Sequence, residues 1–262
     1  MIIDSHQHLP GRREGKTLAD SKQELLRELE ECMVDYSIVI PDNVPNSEIG
    51  SLDEVLDLVE DERRLFAMGT INIRKDKEPY ILKLDRLFRT ERIVAIKIFP
   101  GHEPIYPTDK RLTPIYELCV KYDLPIVVHT GGRKQSKYND PKFIIKIADK
   151  NPELKIVIAH YFFPRIEYCH EITKPYENIY FDTSALADDA VIAATGLQKI
   201  KDTLALTAQE RPCNVVFGTD YAGCSIKKHI ALIESLKLSR EIKERIFSKD
   251  SIQLFKLKLS AH

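Results

Sequence analysis

The sequence predicts a (β/α)8 barrel, the TIM-barrel architecture, formed by one domain over residues 1–262. Three observations predict it. Short apolar runs rich in β-branched residues alternate with longer stretches of helical periodicity, and eight such pairs are present. The runs carry little polar alternation, as expected of parallel strands covered on both faces. The 262 residues match the roughly 250 of such a barrel. An open doubly wound sheet is the alternative, but its glycine-rich phosphate turn is missing: neither GxGxxG nor the full GxxxxGK[ST] occurs. With 10 glycines and no repeat period or low-complexity linker, nothing suggests a solenoid or a second domain.

The first strand is MIIDSH (1–6), followed by a helix near 20–34 with Leu25, Leu26, Leu29 and Met33 at helical spacing. YSIVI (36–40) is the second strand, closed by Pro41. In SLDEVLDLVEDERR, Leu52, Val55, Leu56 and Val59 keep the helical period, and Ser51 with Glu54 has the form of a capping box. LFAMGTINI (65–73) is one strand and EPYILKLDRLF (78–88) a helix. IVAIKIF (93–99) is the fourth strand, followed by a helix around 111–122 burying Leu112, Ile115 and Cys119. LPIVVHT (124–130) is the fifth. The next helix has Asp140 as N-cap and Pro141 at its first position, and ends near Asn151-Pro152. LKIVIAH (154–160), a helix near 164–174, NIYFDTS (178–184), a long helical stretch to about 207, and NVVFGTD (214–220) complete the pattern, with helices from about 225 onward.

Hydrophobic residues make up 43% and charged residues 30%, as in ordinary globular proteins. The 39 basic and 40 acidic residues leave a net charge of -1. Overall charge therefore gives no reason to expect nucleic acid or an acidic membrane as partner. No apolar stretch approaches the roughly 18 residues of a membrane span, and MII is too short for the core of a signal peptide. The five cysteines (Cys32, Cys119, Cys169, Cys213 and Cys224) are odd in number, widely spaced and without a CxxC. They read as free thiols, which predicts a cytoplasmic protein. The sequence leaves the oligomeric state open, a homo-oligomer included.

Barrel chemistry collects at the C-terminal ends of the strands. There the first strand carries His6-Gln7-His8, the fourth Lys97, the fifth His129, the sixth His160 and the eighth Asp220. Strand side chains alternate with period two, so His6 and His8 point the same way. Directed inward, they meet His129 and Asp220 arriving from other strands. Three imidazoles and a carboxylate suit a divalent ion such as zinc with one position left for water. Each motif alone reads more readily as a hydrogen-bonded structural residue, and their conjunction carries the expectation. His102, in FPGHEP after the fourth strand, is a further candidate. His170 and His229 fall in helical patterns and read as packing residues.

These motifs, DSHQH, VVHTG, VIAH and FGTD in that order, resemble the amidohydrolase superfamily. The resemblance is closest to its amidohydrolase-related (amidohydrolase 2) branch. IFSKDSIQLFKL resembles that branch's closing helix, with Asp250 where asparagine is common. The resemblance implies that His6, His8, His129 and Asp220 hold a divalent metal. It implies that His160 either serves a second ion or polarises the substrate, and that Asp220 shuttles the proton. Lys97 resembles the lysine that some members carboxylate to bridge two metals, whereas its own branch often carries a lysine there and uses one ion. A third reading has Lys97 snorkelling out of the strand. One ion, zinc, is the expectation, and two if Lys97 is carboxylated.

The implied activity is metal-dependent hydrolysis of an ester, lactone or amide in a small anionic molecule. Alternatives are a decarboxylase of an unsaturated or aromatic acid, a TatD-like nuclease, and a metal-binding barrel without catalysis. The nuclease fits less well, since that group usually has glutamate where Lys97 stands. Substrate contacts are expected from strand-end loops: Arg133, Arg165 and His102, with Tyr161 as an aromatic wall or as packing beneath its loop. Arginines suit a carboxylate- or phosphate-bearing molecule, and solvated loop charge is the competing reading.

Overall fold

In a computed structural model, residues 1–12, 16–44, 47–74, 78–132 and 137–259 are described. Nine parallel segments build the barrel wall. The first three, β1 (Ile3–Gln7), β2 (Tyr36–Val39) and β3 (Leu65–Ala67), form one ladder. The other six form a second: β4 (Gly69–Thr70), β5 (Ile96–Ile98), β6 (Ile126–Val128), β7 (Ile156–Ile158), β8 (Ile179–Asp182) and β9 (Val215–Val216). The expected strand over 65–73 is thus two short pieces. Its backbone changes partner at Met68: the Met68 amide donates to Val39 on one side at 3.0 Å and the Gly69 amide to Ala95 on the other at 2.8 Å.

The ring closes between the first and last strands. Ser5 donates its amide to Phe217 at 2.9 Å, Asp220 donates to the His6 carbonyl at 2.8 Å, and Gln7 bridges to Tyr221. The β1–β2 register shifts between Asp4 and Gln7, so the strand leaves regular pairing where its histidines begin.

The helices follow the expected order: α1 (Leu18–Glu31), α2 (Leu52–Val59), α3 (Glu78–Arg89), α4 (Thr113–Tyr122), α5 (Pro141–Lys150) and α6 (Ile166–Thr173). The capping box at Ser51 is present, with the Ser51 amide donating to Glu54 at 2.9 Å. Asp140 caps α5 by accepting from the Lys142 amide at 3.0 Å. The single helix expected up to 207 is two, α7 (Asp189–Thr195) and α8 (Leu197–Glu210). Gly196 separates them at φ 94°, a conformation that side-chain-bearing residues rarely adopt. The chain ends with α9 (Ile226–Glu234), α10 (Arg240–Glu244), a π-helical turn and α11 (Asp250–Leu254). No helix among the described residues is long and apolar enough to cross a membrane. All five cysteines are free.

Apolar burial divides into two bodies. Ile96, Ile98, Ile126, Val128, Ile156 and Ile158 pack against the helix layer. Ile38, Met68, Ala95, Val127 and Val157 fill the barrel interior, where Leu254, Phe255 and Leu257 join them. Lys97 alternates with Ile96 and Ile98 on β5 and is wholly buried.

Asp250, beneath this interior, pairs with Arg245 at 2.8 Å. Burial outweighs that pairing and pushes its carboxyl up from 3.8 to about 6. A group raised in the folded state contributes stability that is full below 3.8 and lost as pH rises through about 6. Asp250→Asn is therefore expected to raise the melting temperature at pH 7.5 and leave it nearly unchanged at pH 4. A fall at pH 7.5 would show that the Arg245 pair outweighs burial.

Candidate metal centre

The mouth of the barrel holds a cavity of about 410 Å³. His6, His8, Lys97, His102, His129, His160 and Asp220 all line it, beside Leu9, Phe99 and Glu48. The histidines, Lys97 and Asp220 come from five different strands or the loops that follow them.

Asp220 Oδ1 lies 3.5 Å from His6 Nε2 and 3.5 Å from His8 Nε2. The donor atoms of these three residues all fall within 4.8 Å of one another. Close approach of the two strands makes this possible. A Cβ on Gly218, in FGTD, would lie 2.8 Å from the His6 Cβ, so only glycine lets the last strand run so near the first. Asp4, fully buried, ties the same seam: it accepts from the Thr219 amide at 3.1 Å, the Thr219 hydroxyl at 2.5 Å and Gln7 Nε2 at 2.6 Å. Desolvation raises the Asp4 carboxyl to about 7 despite these bonds.

His8 Nδ1 stands 2.8 Å from the Ile40 carbonyl, an oxygen that can only accept. Nδ1 therefore donates to that carbonyl, and Nε2 is the nitrogen turned toward Asp220. His6 is held through Nδ1 at 2.7 Å from Asp182, and His160 through Nδ1 at 2.8 Å from Ser184. Burial lowers the pKa of His160 to about 3 and takes His6 and His129 below their ordinary value, with Lys97 adding to the effect on each. These imidazoles are neutral at pH 7, the state in which they can bind a metal. Burial pushes the Asp220 carboxyl up, but the surrounding histidines outweigh it and keep it below the ordinary carboxylate range. Imidazole nitrogens and an ionised carboxylate, within 4.8 Å of one another, fit a divalent ion of borderline softness. His129 lies in the same cavity, its ring 4.9 Å from that of His160 and 4.3 Å from that of His102, but outside the tight His6–His8–Asp220 group.

Lys97 Nζ sits 3.4 Å from His6 Nε2, so the ammonium stays inside the barrel and does not snorkel outward. Burial pulls its pKa from 10.5 to about 8, opposed by Asp182 and Asp220.

Two expected substrate contacts lie elsewhere. Tyr161 is buried in the layer outside the cavity, stacked on Phe181 with ring centroids 4.3 Å apart and its hydroxyl bonded to Thr207. The cause is backbone geometry: His160, Tyr161 and Phe162 all have positive φ, at 61°, 51° and 55°. This left-handed run carries the chain away from the mouth directly after His160. Three such residues cost on the order of 1–2 kcal/mol each, offset here by specific bonds. The His160 amide donates to Asp182 at 2.9 Å and the Phe162 amide to Thr130 at 2.9 Å. Arg165 stacks over Tyr168, 4.1 Å from the ring centroid, and does not line the cavity. Arg133 lies outside the described residues. His170 and His229 are buried packing residues, bonded to Thr207 and to the Ala187 amide.

Asp182 is the residue that sequence reasoning missed. It ends the apolar run IYF on β8 and is fully buried against both His6 and His160. Its signal was the same strand-end position that marked Asp220, but FDTS offers no histidine to draw attention.

A parallel barrel with this His/Asp cluster at its mouth has side chains that could hold a metal ion. The amidohydrolase 2 family model matches residues 3–257, and the chain belongs to that amidohydrolase family. Among similar solved structures, an amidohydrolase from Burkholderia multivorans has zinc bound and a 5-carboxyvanillate decarboxylase from Novosphingobium aromaticivorans is complexed with manganese. An uncharacterised TIM-barrel protein from Bordetella bronchiseptica is 17% identical, with a TM-score of 0.79 over 97% of this chain and 98% of that one. A 2,6-dihydroxybenzoate decarboxylase from Rhizobium is 14% identical, with a TM-score of 0.69 over 97% and 98%. A probable 2-pyrone-4,6-dicarboxylic acid hydrolase from Acinetobacter baumannii, with citric acid bound, is 12% identical, with a TM-score of 0.66 over 98% and 99%. No protein of curated function matches.

Gly218→Ala is expected to displace His6 and destabilise the fold by about 1–3 kcal/mol through overpacking. Thermal melting with zinc titration checks it: an unchanged melting temperature and unchanged uptake would show that the seam yields freely.

Proposed function

We propose that the protein is a metal-dependent hydrolase that cleaves an ester, lactone or amide bond in a small, carboxylate-bearing molecule. The observation that carries this reading is Asp220: its Oδ1 sits 3.5 Å from both His6 Nε2 and His8 Nε2 at the edge of a water-accessible cavity. A carboxylate so placed can receive a proton from water and return it to a leaving group.

His6, His8, Asp220 and His129 would hold one divalent ion, and the imidazole-rich donor set favours zinc. Such an ion supplies Lewis acidity and lowers the pKa of water from about 15.7 toward 7. Asp220 takes up and delivers the proton. His160, neutral and with its ring in the cavity, orients the carbonyl of the substrate. Lys97 supplies positive charge from the cavity floor, where a substrate carboxylate is the natural partner. It is the one ammonium or guanidinium lining the cavity among the described residues. A lone buried cation suits a carboxylate better than a nucleic-acid backbone, and supports a small molecule over a nuclease substrate. His102 lines the outer wall. Five free cysteines support a reducing, cytoplasmic location.

A decarboxylase is the second reading. The same buried Lys97 beside Phe99 would suit an aromatic acid, the substrate named for the Rhizobium neighbour.

His6→Ala and His8→Ala are expected to abolish zinc retention, measured by elemental analysis at one ion per unsubstituted chain. Two ions per chain would instead make Lys97 a bridging ligand. Asp220→Asn is expected to lower kcat about 10²–10⁴-fold on a panel of lactones, esters and amides of small acids. Carbon dioxide release without hydrolysis by the unsubstituted enzyme decides for the lyase.

A further inference from the structure

One carboxylate touches both inner histidines of the site. Asp182 Oδ2 lies 2.7 Å from His6 Nδ1. Its other oxygen accepts from the His160 amide at 2.9 Å, from the Ser184 amide at 3.2 Å and from the Ser184 hydroxyl. The same hydroxyl oxygen stands 2.8 Å from His160 Nδ1. All four groups are buried, so water does not compete for these bonds.

We propose that Asp182 is the positioning residue for both His6 and His160, directly for the first and through the Ser184 hydroxyl for the second. This rests on the metal-site reading above and adds the group that orients it. The number of available protons decides the tautomers. An ionised carboxylate only accepts, so the hydrogen between Asp182 and His6 belongs to Nδ1. Ser184 has one hydroxyl hydrogen. Were it given to His160, two oxygen lone pairs would face each other between Ser184 and Asp182 in a dry site. It goes to Asp182 instead, and the Ser184 oxygen accepts from His160 Nδ1–H. Both rings then carry their proton on Nδ1 and turn a bare Nε2 into the cavity.

The two histidines are separable by mutation. An amide at position 182 has one accepting and one donating end. Its oxygen is required where two backbone N–H groups converge, which leaves its NH2 facing His6 Nδ1. Asp182→Asn therefore moves the His6 proton to Nε2 and leaves His160 as it was. Ser184→Ala does the converse: it frees His160 and leaves His6 as it was. Ser184→Thr retains the hydroxyl and restores the His160 pattern.

The test is long-range proton–nitrogen NMR on the full chain labelled with ¹⁵N-histidine and freed of metal by chelation, with rings assigned from His6→Gln and His160→Gln. Expected are pyrrole-type Nδ1 and pyridine-type Nε2 on both rings, reversal at His6 alone in Asp182→Asn, and loss of the pattern at His160 alone in Ser184→Ala. Zinc affinity is expected to fall about 10–100-fold in Asp182→Asn. Pyridine-type Nδ1 on either ring of the unsubstituted chain, or a Ser184→Ala spectrum identical to it, overturns the proposal. If Asp182→Asn does not fold, the Ser184→Ala and Ser184→Thr pair decides. The expected tautomers in a chain that takes up no zinc would support the positioning role and overturn the hydrolase reading.

Discussion

The seam between the first and last strands is the interaction on which the rest depends. A parallel barrel joins its ends only if the final strand finds the first, and here the join is built from polar groups. Asp4 takes hydrogen bonds from Gln7 on its own strand and from Thr219 across the seam. Gln7 passes the connection on to Ser37 on β2. Taken from water without partners, such a carboxylate would cost several kcal/mol, so its partners must be in place before it is buried. That requirement sets the relative height of β1 and the FGTD segment, and with it the distance from His6 and His8 to Asp220.

A second constraint acts on the opposite side of the site. Asp182 collects the His160 amide, the Ser184 amide and the Ser184 hydroxyl on one oxygen and His6 on the other. Those bonds hold the left-handed turn that begins at His160. Geometry that would be unfavourable in isolation is maintained because buried donors have nowhere else to go. The strained turn and the orientation of His6 are thus supported by the same residue.

Much of this was legible in the chain. Alternation of β-branched runs with helical periods is a global signal, and it gave the barrel, its order and nearly every helix start, down to the caps at Ser51 and Asp140. Histidine at strand ends is rare enough to stand out, so His6, His8, His129 and His160 could be placed at one mouth. What could not be read depends on backbone direction over two or three residues. Tyr161 follows His160 in sequence but leaves the site through a run of positive φ that no residue type there advertises. Asp182 and Ser184 are common residues whose meaning comes from what faces them. The helical period runs on through Gly196, so the break there is not legible in it, and the φ of 94° shows why one helix ends before the next begins.

The seam also fixes when the site can exist. His6 and His8 are made more than two hundred residues before Gly218 and Asp220. During synthesis the early histidines have no carboxylate to meet until the eighth barrel position is complete. A nascent chain that stops short of it holds an unclosed wall with Asp4 still in water, whatever else has folded. The proposed ion site therefore exists only in the finished ring, where an ion would act as a clasp on the first and last strands of the barrel.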